Sequence, residues 1–305
     1  MYPNRLFRIL VILMLAFTSC TLKETQPPPM VQPPPVVQPP PKPAKIALVL
    51  GAGSLKGFAH IGVLKILESN KIPIHMIVGT SVGSVVGSLY AYGMDAFSLQ
   101  KLSFSVQKDD IVDLLYIPSN GFIKGEKLEE FINKSVNYTS MEKLKIPFYA
   151  VTTDLEKGQE MIFRRGNTGT AVRASCSIPG IFRPVRISDK VYVDGGVVSP
   201  VAVEAAKTLG ADVVIAVDIS SGVDHTQPEG TIDTLLQSIN IMYSRLGSIQ
   251  LTKADVVIRP KVGYIGSGDF SKRHEAILEG EKAAIEALPQ ITAILSQLRL
   301  EGRLE

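Results

Sequence analysis

Gly79-Thr80-Ser81-Val82-Gly83 sets one serine between two glycines, directly after an apolar run ending Ile77-Val78 and directly before a helical pattern. A serine hydroxyl is presented for attack when it sits on a sharp strand-to-helix corner whose neighbours carry no bulk, and G-x-S-x-G in that context describes such a corner. At the helix N-terminus, backbone amides and the helix dipole favour developing negative charge, so the Val82 amide is a candidate oxyanion donor. The chemistry served would be acyl transfer. An ordinary glycine-flanked helix cap is the competing reading, and the strand and helix on the two sides weigh against it.

Gly51-Ala52-Gly53-Ser54-Leu55-Lys56-Gly57 joins another apolar run to another helical pattern. It is not a Walker loop, because Lys56 precedes Gly57 and no Ser or Thr follows the lysine. Its third glycine falls one place late for a dinucleotide fingerprint. Small residues at a helix start leave amides bare, and Lys56 brings a positive charge nearby. Preorganised donors of this kind stabilise an oxyanion by about 3–4 kcal/mol each. Gly51, Gly53, Ser54, Lys56, Gly57 and Val82 are therefore the candidate oxyanion set, against the alternative of a tight turn without chemistry.

The serine needs a proton acceptor, and the residues leave two answers open. Of the four histidines, His60, His75, His225 and His274, His225 is the best placed for a triad, in a polar loop after a strand pattern. Asp194-Gly195-Gly196 also follows a short strand, Val191-Tyr192-Val193, and its glycines permit close approach. Partial desolvation would make such a carboxylate a stronger base than its usual pKa near 3.9 implies. Asp-Gly-Gly is equally the composition of a plain turn. Asp154 reads as a turn organiser, Asp218 as a strand-end cap and Cys176 as a small packing residue.

The elements that must carry these loops alternate along the chain. Ile46–Leu50 and Val213–Val217 are apolar runs expected of strands buried on both faces. Ile72–Val78, Pro147–Thr153 and Met161–Arg164 read as further strands, and Val256–Ile258 lies between two helices. Helices are expected over 58–69, from Ser81 to about Tyr92, over Pro200–Leu209 with Gly210 as its C-cap, and over 231–251 and 272–298. Residues 95–140 read as mostly helical, broken at Pro118 to Gly121 and at Gly125, an insertion bordering the site. This alternation argues a mostly parallel sheet with helices on both faces. Such sheets carry their sites at the carboxyl ends of strands.

Of 305 residues, 45% are hydrophobic and 20% charged, the proportions of a folded globular chain. The net charge is +3, and no basic stripe with interleaved aromatics is present, so no nucleic-acid partner is expected. Residues 1–19 read as a secretory signal: Arg5 and Arg8, an apolar run too short to span a bilayer, then small residues. Phe17-Thr18-Ser19-Cys20 resembles a bacterial lipobox, with Phe17 where Leu is usual. Cys20 is accordingly expected to be lipidated, and two or three acyl chains anchor stably. Thr21, in place of the Asp of inner-membrane retention, favours the outer membrane. Residues 20–44 then form a Pro-rich linker whose three proline triplets hold it extended at about 3.1 Å per residue. Residues 45–305 are left as one large α/β domain.

The loops Gly51–Gly57, Gly79–Gly83 and Asp194–Gly196 stand in the order found in patatin-like phospholipases. The chain resembles that family further in Phe58–Leu64, in Arg173–Phe182 and in Gly210–Asp218, most strongly over about residues 45–220. The resemblance implies a three-layer α/β/α fold with a mostly parallel central sheet. It also implies a Ser–Asp dyad without histidine, which lifts Asp194 above His225: Ser81 as nucleophile, Asp194 as general base, Gly51, Gly53 and Lys56 in the oxyanion loop, Gly79 and Gly83 in the elbow, and Gly195 and Gly196 after the base. Ala52 and Ser54 stand where the family usually has glycine. The implied reaction is hydrolysis of lipid acyl esters through an acyl-Ser81 intermediate, with no cofactor and no metal. Its substrate would be a membrane lipid or other acyl ester, met by a chain held at the bilayer through its N-terminal anchor. Acyl transfer to an acceptor other than water, and a tethered non-catalytic lipid- or protein-binding module, are the alternatives.

Overall fold

Five apolar residues in a row, without polar alternation, need cover on both faces. Ile46–Leu50 has that cover: as strand β1 it is fully buried inside an eight-stranded sheet. The structure is a computed structural model and describes residues 41–115, 121–220, 228, 230–266 and 268–305. The expected signal segment, Cys20, nearly all of the Pro-rich linker and His225 lie outside the described residues.

Strands β2 (Met76–Thr80) and β3 (Phe148–Asp154) lie to one side of β1, and β7 (Val213–Val217) and β8 (Val256–Ile258) to the other, all parallel. Beyond β3 the direction reverses. Strands β4 (Gln159–Phe163) and β6 (Lys190–Asp194) pair antiparallel with β3, and β5 (Val185–Ile187) pairs antiparallel with β6. The sheet is therefore mostly parallel, as expected; the expected Met161–Arg164 and Val191–Val193 strands appear as β4 and β6, while β5 was not expected.

Helices α1 (Phe58–Ser69), α2 (Val82–Tyr92), α3 (Ala96–Ser105), α4 (Lys108–Ile111), α5 (Glu126–Ser135), α6 (Thr168–Ser175), α7 (Val203–Thr208), α8 (Thr231–Gln250) and α9 (Arg273–Leu300) complete the layers. One face of the sheet, with Ile46, Leu48, Leu50 and Ile77, packs against Leu64 and Leu67 of α1, Val86 of α2 and Ile277 of α9. The other, with Ala47, Val49, Val78 and Ala216, packs against Val203, Ala205 and Ala206 of α7. This is the three-layer α/β/α arrangement.

Two expected elements are shorter than their pattern. Ile72–Val78 becomes a strand only from Met76, because the Ile72 amide closes the preceding helix onto Leu67 O at 3.0 Å and Pro73 has no amide to give. Pro200–Leu209 is helical only from Val203. Its first residues tie loops together instead: Pro200 O accepts from the Ala52 amide at 2.8 Å, and the Val201 amide donates to Gln250 Oε1 at 3.1 Å.

The register positions the site. Thr80 pairs with Val151, and Thr152 pairs with Asp194. Asp194 thus stands two strands from β2, at the level where the chain leaves β2 for Ser81. It arrives from the antiparallel flank, not from the parallel strand end that the alternating pattern implied.

Candidate active site

Ser81 has φ 53 and ψ −126. A non-glycine residue in this region is uncommon and costs on the order of 1–3 kcal/mol, so the surroundings must hold it there. They do so from both sides of the residue. The Ser81 amide donates to Ser175 Oγ at 2.9 Å, and Ser175 Oγ donates to Val151 O at 2.6 Å. The Ser81 carbonyl accepts from the Ser84 amide at 2.7 Å and from Ser84 Oγ at 2.6 Å. Gly83 explains the second glycine of the motif: a Cβ there would lie 2.0 Å from Leu50 O. The start of α2 therefore passes closer to β1 than any side chain would allow.

Ser81 Oγ donates to Asp194 Oδ2 at 2.6 Å. Asp194 is fully buried, and its second oxygen accepts from the Gly196 amide at 2.7 Å. Its main chain is fixed as well, the amide donating to Ser177 O and the carbonyl accepting from Thr153 Oγ1, both at 2.9 Å. Burial pushes the Asp194 carboxyl up to about 6, opposed by the hydrogen bonds from Ser81 and Gly196 and by the nearby Tyr243 hydroxyl. A carboxylate of that strength, already hydrogen-bonded to a hydroxyl, can act as its general base.

Two of the histidines take other places. His60 is fully buried and its Nε2 donates to Gly51 O at 2.9 Å. Burial lowers its pKa to about 4 and so keeps it neutral. It steadies the Gly51 loop and lies outside the Ser81–Asp194 pair. His75 Nδ1 accepts from the Ile46 amide at 3.1 Å.

Within the Gly-rich loop, the amides of Gly51, Ala52 and Lys56 are already committed, to Val217 O at 3.1 Å, Pro200 O at 2.8 Å and Gly53 O at 3.2 Å. Among the described residues, no hydrogen bond takes up the amides of Gly53, Ser54 or Val82. These three, not those of Gly51 and Lys56, are available to an oxyanion. Ser54 has φ 52, a conformation easier for the glycine usual there. Ser54, Gly57, Ser81 and Val82 line a common cavity, while the buried Lys56 does not reach its wall.

That cavity holds about 440 Å³. Its walls come from α2, α3 and α5, through residues such as Val85, Leu89, Leu99, Leu102 and Phe131. Lys108 is the single charged side chain among the residues lining it. Leu114, Phe122 and Ile232 belong to the same lining yet are exposed, at 70%, 39% and 45%. The inserted helical region thus borders the site, as its position implied.

Asp154 caps its own turn through the amides of Glu156 and Lys157, and Asp218 accepts from Ser220. Cys176 is buried on the cavity wall, and burial pushes its thiol up, away from the reactive thiolate. Ser175, His60 and Tyr243 carry structural weight that the sequence reading did not assign. Ser175 lies in the Arg173–Phe182 block, which could have drawn attention to it; Tyr243 sits in no motif. Among the described residues no group of three His, Cys, Asp or Glu is placed to hold a metal ion, and no helix is long and apolar enough to cross a membrane.

The family model for patatin-like phospholipases matches residues 48–207, just over half of the chain. A lysophospholipase NTE1 of Pyricularia oryzae is 30% identical across 85% of this chain and 19% of its own length. An uncharacterized NTE family protein of Mycobacterium tuberculosis is 35% identical across 58% of this chain and 49% of its own. The chain thus spans less than a fifth of the fungal relative and about half of the mycobacterial one. Among solved structures, VipD from Legionella pneumophila superposes with a TM-score of 0.48 at 14% identity, covering 82% of this chain and 67% of VipD. The type III effector ExoU gives 0.47 at 14% identity, covering 83% and 54%.

Proposed function

Because the chain belongs to the patatin-like phospholipase family, we propose that it hydrolyses acyl esters of lipids through Ser81 and Asp194. Asp194 takes the hydroxyl proton as Ser81 Oγ attacks the ester carbonyl. The carbonyl oxygen, now negative, is met by the amides of Gly53, Ser54 and Val82. Collapse expels the alcohol, which leaves with the proton held on Asp194, and an acyl-Ser81 ester remains. Water then attacks that ester with Asp194 again as base, releasing the fatty acid. One observation carries this reading: a hydroxyl on a strained corner, 2.6 Å from a fully buried carboxylate, on the wall of an apolar cavity.

The cavity favours a fatty acyl chain, since each buried methylene contributes about 0.8 kcal/mol. Lysophospholipids are the first substrates to try, because the fungal relatives are named as lysophospholipases. The exposed apolar rim suits a substrate drawn from a lipid aggregate. A lipid anchor at Cys20, probing the outer membrane through the Pro-rich linker, would keep the domain beside such substrates. This part rests on the sequence pattern and is checked by palmitate labelling of the chain and its Cys20→Ser variant.

The purified protein is expected to cleave a p-nitrophenyl acyl ester and to be labelled by a serine-reactive phosphonate, with Ser81→Ala losing both. Undiminished turnover by Ser81→Ala refutes the assignment.

A further inference from the structure

We infer that Tyr243 is a positioning residue for Asp194, its buried hydroxyl supporting the ionised carboxylate. The inference rests on the reading of Asp194 as base and adds a third side chain to the pair.

Tyr243 lies on α8, 4% exposed, among Ala52, Ile178, Ile181 and Ile239. Its hydroxyl has no partner of good hydrogen-bond geometry. A buried phenol in apolar surroundings needs a reason to be there, since phenylalanine would fill the same space without an unsatisfied polar group. The reason lies beside Gly196. A Cβ on Gly196 would stand 2.3 Å from Tyr243 Cζ and 2.7 Å from its hydroxyl oxygen. Gly196 is thus bare so that the phenol can approach, and the Gly196 amide is the group already bonded to Asp194 Oδ1. The carboxylate has capacity beyond the two bonds it receives from Ser81 and Gly196.

The two groups perturb each other in the sense a donor and an anion require. Asp194 helps to push the Tyr243 phenol well above its usual value, after burial, while the phenol lowers the Asp194 carboxyl against the dominant effect of burial. The other titratable side chain near this pair is Cys176, at the end of α6, whose thiol burial keeps protonated. The corner before α2 contributes the Ser81 hydroxyl, and β3 contributes Thr153, whose hydroxyl is on the Asp194 main chain. Among the described residues, no charged side chain shifts this carboxylate, so the phenol is the adjustable influence on it.

Tyr243→Phe keeps the ring against Gly196 and removes only the hydroxyl. Two readouts test it: the acid limb of kcat/KM on a soluble p-nitrophenyl ester, and an infrared titration of the carboxyl band that Asp194→Asn lacks. Loss of the donor leaves the carboxylate less supported, so both midpoints should rise by about one pH unit. A purely space-filling tyrosine moves neither, and unchanged midpoints overturn the inference. Should the Phe variant fail to fold, a ring-fluorinated tyrosine at position 243, a stronger donor of the same shape, should lower both midpoints; no movement there overturns it equally. The infrared shift is independent of turnover. A shift in a protein that hydrolyses nothing would uphold the Tyr243–Asp194 link and refute the hydrolase reading alone.

Discussion

Replacing Asp194 by asparagine removes a charge from a fully buried position while keeping its shape, and the consequence for stability depends on pH. Burial raises this carboxyl from the usual 3.8 to about 6. An acid whose folded-state pKa lies above its unfolded value holds its proton more tightly when folded. Below about pH 4 both states are protonated and the carboxyl costs nothing; the cost grows as pH rises towards about 6 and is complete above it. A shift of about two units, at 1.36 kcal/mol each, sets that cost at about 3 kcal/mol. Asparagine can satisfy only part of the Ser81 and Gly196 hydrogen bonding, which adds an offset independent of pH. The signal is therefore the change in the difference between Asp194→Asn and wild type. Urea unfolding across a pH series should show the variant gaining about 3 kcal/mol relative to wild type between about pH 4 and pH 8. In thermal scans this corresponds to about 6–10 °C for a domain of this size. A difference that stays flat across that range would refute the argument that burial governs this carboxyl.

Gly83→Ala should destabilise the fold by about 1–3 kcal/mol or more, since its Cβ would meet Leu50 O at 2.0 Å; an unchanged thermal midpoint would contradict the close approach of α2 and β1. Glutamate at both Leu114 and Phe122 should reduce hydrolysis of phosphatidylcholine vesicles by about tenfold, because each side chain loses apolar contact with lipid. Turnover of a soluble short-chain ester should be retained in that double variant, and equal losses on both substrates would show that the rim serves the fold and not the lipid surface.

Legibility followed the range of the interactions. Strand β1 was readable to the residue because its burial needs only an apolar run, and the Ser81 corner because strand, glycines and helix are contiguous. The pairing of Ser81 with Asp194 depends on a partner 113 positions away, and only the resemblance to a family chose Asp194 over His225. On the antiparallel flank, β4 and β6 were legible as the runs Met161–Arg164 and Val191–Val193, but β5 has only three residues and the direction in which β6 pairs is set by a distant partner. Ser175, His60 and Tyr243 take their meaning from what they touch, Ser81, Gly51 and Gly196, and a side chain whose role is set by a distant backbone leaves no local trace.

Strand β3 stands between the strand that delivers the hydroxyl and the strand that delivers the carboxylate. The pair can form only after a chain segment beyond β3 has folded back along its outer edge, a long-range closure that comes late in assembly. A nascent chain still on the ribosome before residue 194 carries the Ser81 corner without its carboxylate partner. On the role proposed above for Asp194, the strand order itself keeps the hydroxyl idle until that segment is in place.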